Sequence, residues 1–173
     1  MIIVLMGVSG SGKTTIGTRL AVEMGWTFAD GDDFHPPANV EKMRQGIPLT
    51  DVDREPWLET LRSLMANWLA QNLDAVLACS ALKQAYRLEL KLSSEVHFVY
   101  LQVSPQVLQQ RLHARQGHFM KEQMLASQLA SLEEPKDDAV VIDASASVED
   151  CVRQIRGSLG LESSTGTAGP GAR

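Results

Sequence analysis

The run Gly7–Thr14, GVSGSGKT, fits the pattern G-x-x-x-x-G-K-[ST]. Its glycines let successive backbone N–H groups turn inward, and a helix beginning at the loop adds the positive end of its dipole. Phosphate oxygens would therefore meet fixed donors. Lys13 can reach the outer phosphates of a nucleoside triphosphate, and the Thr14 hydroxyl can ligate Mg²⁺. A flexible glycine turn would explain the glycines, but not Lys13 followed by Thr14. Gly7, Val8, Ser9, Gly10, Ser11, Gly12, Lys13, Thr14 and Thr15 are thus the expected nucleotide-binding set.

Such a loop serves kinases, GTPases and motor-type ATPases alike, so a second feature must choose among them. The usual magnesium-organising acid ends a later apolar strand, yet the candidate run AVLACSALK passes through Cys79 and Ser80 with no carboxylate. The nearest acids lie in FADGDDFHPP, Phe28–Pro37. If the strand before them runs parallel to the first, its carboxyl end opens onto the same crevice as the loop. Asp30 would then hold Mg²⁺ through water, and Asp32 would accept the proton of an attacking hydroxyl. Asp33 has no forced role.

These groups need a sheet to hold them. Short apolar runs at Ile2–Met6, Trp26–Ala29, Ala75–Cys79, Val96–Val103 and Ala139–Ile142 read as strands. Helical patterns separate them at Thr14–Met24, Pro56–Gln71, Leu82–Leu92, Pro105–Arg115, Lys121–Leu132 and Ser147–Leu159. The alternation predicts an α/β fold with a parallel sheet buried on both faces. Ser104 before Pro105 marks a helix start, and Gly117 marks a stop. The 173 residues suit a single domain over 1–161, and the small polar residues of 162–173 predict a disordered tail.

The net charge of −5 excludes the basic field that nucleic acid requires. Cys79 and Cys151 are too few for a disulfide framework or a zinc site and read as reduced core thiols. No charged leader precedes the first strand and no 18-residue apolar run occurs, so no export and no membrane span are expected, and the compartment is the cytoplasm.

Together, GVSGSGKTT, DGDDFHPPANVEKMRQGIPLTDVDREPWL, LACSALKQAYR and RQGHFM resemble the gluconokinases, from about Met6 to Pro135. The resemblance implies a P-loop NTPase fold like that of adenylate and shikimate kinases, with five parallel strands, flanking helices and a mobile lid. It implies ATP and Mg²⁺ as cofactors, phosphorylation of the terminal hydroxyl of D-gluconate, and a homodimer. Adenylylsulfate kinases are the nearest confusable relatives, but they continue differently after Asp-Gly-Asp. Outside enzymes, a nucleotide-switch protein would leave the dense polar segment His35–Arg54 unexplained.

A sugar acid needs cations in fork geometry for its carboxylate and short polar partners for its hydroxyls. The segment about 35–55 is the expected substrate-binding part, with His35 behind it, Lys42 within it and Arg54 at its end, where Pro56 opens a helix. Ser80, Lys83 and Arg87 follow the third strand, and Arg54 and Arg87 are the expected carboxylate ligands. The lid is expected at about 113–124, with Gly117, His118 and Phe119 as hinge and closing surface. Arg111 and Arg115, four apart, fall on the apolar face defined by Val107, Leu108 and Leu112, where solvated cations would not sit. By resemblance to adenylate-kinase-like lids, Arg111 serves the nucleotide base and Arg115 the transferring phosphoryl group.

Overall fold

The computed structural model describes the backbone of residues 1–113 and 118–161, and the side chains of residues 1–111 and 124–161. Strand β1 (Ile2–Met6) is buried at every position because both of its faces are covered. Ile2, Val4 and Met6 share a core with Trp57, Leu58, Leu61, Met65 and Trp68 of α3 (Asp51–Ala70). Ile3 and Leu5 share the opposite core with Ile16, Leu20 and Ala21 of α1 (Lys13–Met24), and with Cys151, Val152 and Ile155 of α7 (Val148–Ser158).

The remaining strands are β2 (Thr27–Asp30), β3 (Ala75–Ala78), β4 (Val96–Gln102) and β5 (Val140–Asp143). They form one sheet in the order β2-β3-β1-β4-β5, every pair parallel, as the alternation of strand and helix predicts. The other helices are α2 (Pro37–Arg44), α4 (Gln84–Leu90), α5 (Pro105–His113) and α6 (His118–Ser131), and a 3₁₀ turn covers Gly31–Phe34. No helix among the described residues is long and apolar enough to cross a membrane. Both cysteines are free and buried, and desolvation pushes the Cys79 thiol up to about 12, which keeps it protonated and inert. The expected tail, 162–173, lies outside the described residues, as does residue 117, the expected helix stop.

Helix α6 opens at His118, ahead of the Lys121 expected from sequence, and two further boundaries differ for visible reasons. The sequence predicts a helix opening at Pro56, but α3 opens at Asp51. Thr50 accepts the Asp53 N–H through its side chain and donates its own N–H to the Asp53 carboxylate, a capping box with aspartate in the usual glutamate position. That cap outweighs the single ladder bond forfeited where Pro56 lacks an N–H. Helix α4 starts at Gln84 instead of Leu82, because Ala81 takes a left-handed φ of 41° and Leu82 turns inward to Val8, Leu108 and Leu125.

The capping aspartate gives stability an acid limit. Hydrogen bonds from Lys42 first, then from Thr50, lower the Asp53 carboxyl to about 2, against 3.8 ordinarily. A depressed carboxylate stabilises the fold above its unfolded pKa and loses that contribution as pH falls through the folded one. Denaturant unfolding of the wild type should therefore weaken as pH drops from about 4 toward about 2, and Asp53→Asn should show a flatter decline across that window.

Candidate active site

The register of the sheet levels the strand exits. Asp30 pairs with Ala78, and Ala78 pairs with Leu5, so the last residue of β2 stands level with the end of β1, with β3 between them. The Gly7 N–H donates to the Ser80 carbonyl at 3.2 Å, tying the loop to the β3 exit. Gly12, at φ 98°, is the N-cap of α1; no side chain caps that helix and no acid occupies its first turn. Its leading N–H groups therefore have no side-chain competitor for an anion. The Lys13 Nζ folds over the loop and donates to the carbonyls of Gly7 at 2.9 Å and Val8 at 3.1 Å. Ser11 is fully buried, and its hydroxyl has no hydrogen-bond partner among the described residues.

The acids meet the loop directly. Thr14 Oγ1 donates to Asp30 Oδ2 at 2.6 Å, while Asp30 Oδ1 accepts the Asp32 N–H at 3.1 Å. One carboxylate thus joins the nucleotide loop to the turn that carries the second acid. Between them only glycine fits, because a Cβ on Gly31 would lie 2.8 Å from the Ala78 carbonyl oxygen. Asp32 lines a cleft with Ser9, Lys13, Thr14, Asp30, His35, Arg54 and Ser80. Crowding by the surrounding protein raises the Asp32 carboxyl above its ordinary value; Lys13 opposes the shift, and Asp30 and Asp33 add to it.

The far wall of the cleft is built on Trp57. Its indole N–H donates to the Gly31 carbonyl at 2.7 Å, and its ring stacks on His35 with centroids 4.4 Å apart. Burial, then the nearby Arg54, push the His35 imidazole down to about 4, so it is neutral at pH 7. His35 Nδ1 is buried with no partner among the described residues. Arg54 lies in the first turn of α3, where the early start of that helix puts it on the cleft wall. Its guanidinium lies 5.8 Å from the Tyr86 ring centroid and 3.8 Å from Asp51. Asp51 also accepts from Lys83 Nζ at 2.7 Å and from the Tyr86 hydroxyl.

Three cations expected at the substrate are committed elsewhere. Lys42 is paired with Asp53 at 2.7 Å and Lys83 with Asp51, and neither lines the cleft. Arg87 is a clear correction. It is 3 % exposed, paired with Asp138 at 2.5 Å, and donates to the carbonyls of Ala81, Leu82 and Glu133. Lys83 and Tyr86 meet at Asp51, whereas Arg87 turns away from them into the protein. Asn39, in the same polar segment, is buried and holds the Asp53 carbonyl at 2.6 Å.

Arg111 turns inward as its position on the apolar face predicts. It donates to the carbonyls of Ala144 at 2.7 Å, Gly10 at 3.3 Å and Ser11 at 3.4 Å. A second cavity lies beside it, lined with Gly10, Thr15, Ile16, Ala146 and Val148. Arg115 falls outside the described residues, as does the side chain of His118, so the expected lid roles lie beyond them too. Sequence reasoning missed Trp57, the apolar wall of Met43, Ile47, Pro48 and Leu49, and Met124, Ser127 and Gln128 from α6. Apolar types at ordinary helical spacing carry no signal that separates a cleft wall from a core. No group of three or more His, Cys, Asp or Glu among the described residues could hold a metal.

A family model described as an AAA domain matches residues 2–135. A gluconokinase from Gluconobacter oxydans (strain 621H) is 51% identical over 148 residues, covering 83% of this chain and 81% of its own length. The crystal structure of a sugar kinase from Janibacter sp. HTCC2649 superposes with a TM-score of 0.85 at 41% identity, covering 92% of this chain and 94% of that one. The crystal structure of a gluconokinase from Sinorhizobium meliloti 1021 does so at 0.80 and 42% identity, covering 92% and 91%.

The placement of Arg87 separates folding from binding. Asp138 is itself about a third exposed, so the cost of losing the guanidinium falls on the carbonyls of Ala81, Leu82 and Glu133 left without their donor, at about 1–3 kcal/mol. Arg87→Met should therefore lower the denaturant midpoint strongly, while the folded fraction keeps the wild-type KM for its acceptor. A large rise in that KM at unchanged stability would return Arg87 to the substrate.

Proposed function

The chain belongs to the gluconokinase family, and from that premise we propose how its own residues carry out the transfer of the ATP γ-phosphoryl group to the 6-hydroxyl of D-gluconate. The observation that carries the reading is the shared level of the strand exits. Asp30 touches Thr14, and Asp32 enters the cleft that Lys13 and Arg54 also line.

Gluconate lies in this cleft with its carboxylate toward Arg54, and His35 and Ser80 read its hydroxyls. His35 suits that role as a neutral group, since an uncharged imidazole can accept as well as donate. Asp32 accepts the proton of the attacking 6-hydroxyl. Its carboxyl is raised by burial, nearer to the operating pH than an ordinary aspartate, which favours proton transfer. The loop from Gly7 to Thr15 holds the phosphates, Lys13 turns from the loop carbonyls to the transferring group, and Arg111 borders the base. Arg115 completes the charge stabilisation when the lid closes.

Mg²⁺ fits the residues present. It takes hard oxygen ligands, commonly one or two carboxylates besides substrate phosphates, and the Thr14 hydroxyl and Asp30 carboxylate stand 2.6 Å apart at the mouth of the loop. When bound there it would neutralise charge on the phosphate oxygens. Transfer is direct and in line, with no phosphoenzyme. We further propose that the protein works in the cytoplasm, and as a homodimer, as the resemblance implies; a monomer by sedimentation at assay concentration would remove the dimer.

ADP release with Mg-ATP should depend on gluconate and not on shikimate, adenylylsulfate or nucleoside monophosphates. Asp32→Asn should lower kcat about 10²- to 10⁴-fold with little change in KM for ATP. Arg54→Gln should raise KM for gluconate about 10- to 100-fold, the worth of a hydrogen bond to a charged group. Retention of wild-type kcat by Asp32→Asn would remove the base assignment.

A further inference from the structure

One backbone donor of the nucleotide loop already has a side-chain partner. The Ser9 N–H donates to the Gln128 side-chain oxygen at 2.6 Å, across 119 positions of sequence. Gln128 is half-buried on α6, the helix that follows residues 114–117. Ser9 and Gln128 both line the cleft that holds Asp32 and Arg54, and neither lines the cavity beside Arg111. The contact therefore sits at the acceptor end of the loop, where the terminal phosphate of a bound triphosphate arrives. An amide oxygen at that distance from a backbone N–H occupies the position a phosphate oxygen would take.

We propose that Gln128 is a phosphate-exchange residue. Its oxygen holds the Ser9 N–H until the terminal phosphate of ATP takes that donor; the side chain then withdraws through its own torsions to make room, and its Nε2–H turns to donate to the same phosphate oxygen. The proposal rests on the kinase reading above. A carboxamide suits this exchange because it carries an acceptor and two donors on one planar end, and its terminal torsion is broad and soft. In the transition state, negative charge spreads over the oxygens of the transferring group, so a donor acquired there favours the transition state over the ground state. Through this one side chain, α6 registers whether the terminal phosphate is present.

The test compares ADP with a non-hydrolysable ATP analogue. ADP lacks the terminal phosphate and leaves the Ser9–Gln128 contact in place. Gln128→Glu keeps the acceptor, lacks the donor and sets a charge against the phosphate. Its affinity for the ATP analogue should fall about tenfold or more, while its affinity for ADP stays within about twofold of wild type. Gln128→Leu keeps the bulk and lacks both functions. Its kcat should fall about 10- to 100-fold with KM for gluconate little changed, in line with removal of one preorganised donor.

Equal affinity ratios for the two nucleotides in wild type and Gln128→Glu would overturn the proposal. So would wild-type kcat in Gln128→Leu, or losses in both variants that track a lowered thermal midpoint and touch ADP as much as the analogue. The binding comparison reads the exchange without turnover. A wild-type protein that ignores gluconate would therefore count against the substrate reading alone.

Discussion

The hydrogen bond from Thr14 to Asp30 joins two exits of one parallel sheet, and the geometry of the cleft depends on it. Thr14 opens the helix after β1, and Asp30 closes β2, with β3 lying between the two strands. Parallel register sets the level of each exit, so a slip of one residue in β2 would turn the Asp30 side chain to the opposite face. Phe28, packed against one core, and Ala29, packed against the other, oppose such a slip, because a shift would exchange the faces they meet. The core thus acts on the site by holding two oxygens 2.6 Å apart.

Electrostatic roles in the cleft follow from surroundings more than from residue type. Asp53, bonded by Lys42 and Thr50, sits well below the ordinary carboxyl range, whereas Asp32, crowded by the protein and opposed by Lys13, is raised from its ordinary value. The first is a structural cap and the second is available for proton transfer. Arg54 and Arg87 divide in the same way. Arg87 faces a carboxylate and three carbonyls inside the protein, while Arg54 keeps a face toward the cleft, with Asp51 at 3.8 Å. Asp51 is itself held by Lys83 and Tyr86, so Arg54 has a fixed neighbour without being fully neutralised by it.

Much of this was legible from sequence where the signal is local. The loop Gly7–Thr14, the alternation of apolar runs with helical patterns, and the acids after β2 each carry their meaning within a few residues. Arg111 was legible because a cation on an apolar face demands a partner. What escaped depends on distant pairing. Arg87 has the type and spacing of a ligand, and only Asp138, 51 positions away, decides that it faces inward. The start of α3 was hidden because Pro56 reads as a helix opener, although Thr50 and Asp53 already formed a cap. Gln128 has no local signature at all, since an amide in a polar stretch of helix looks the same wherever the helix packs.

Gly31 sets a limit on how this scaffold can change. The Ala78 carbonyl fills the space where its Cβ would stand, and its own carbonyl receives the Trp57 indole. The residue between the two acids is therefore pinned on both sides, and the acids cannot be respaced without remaking the exit of β3. Variation in the acceptor must enter through the opposite wall, at Met43, Ile47, Pro48 and Arg54, which meet the cleft outside the two sheet cores. The fold separates an invariant chemical half from an adjustable recognition half, and the boundary between them runs through a single glycine.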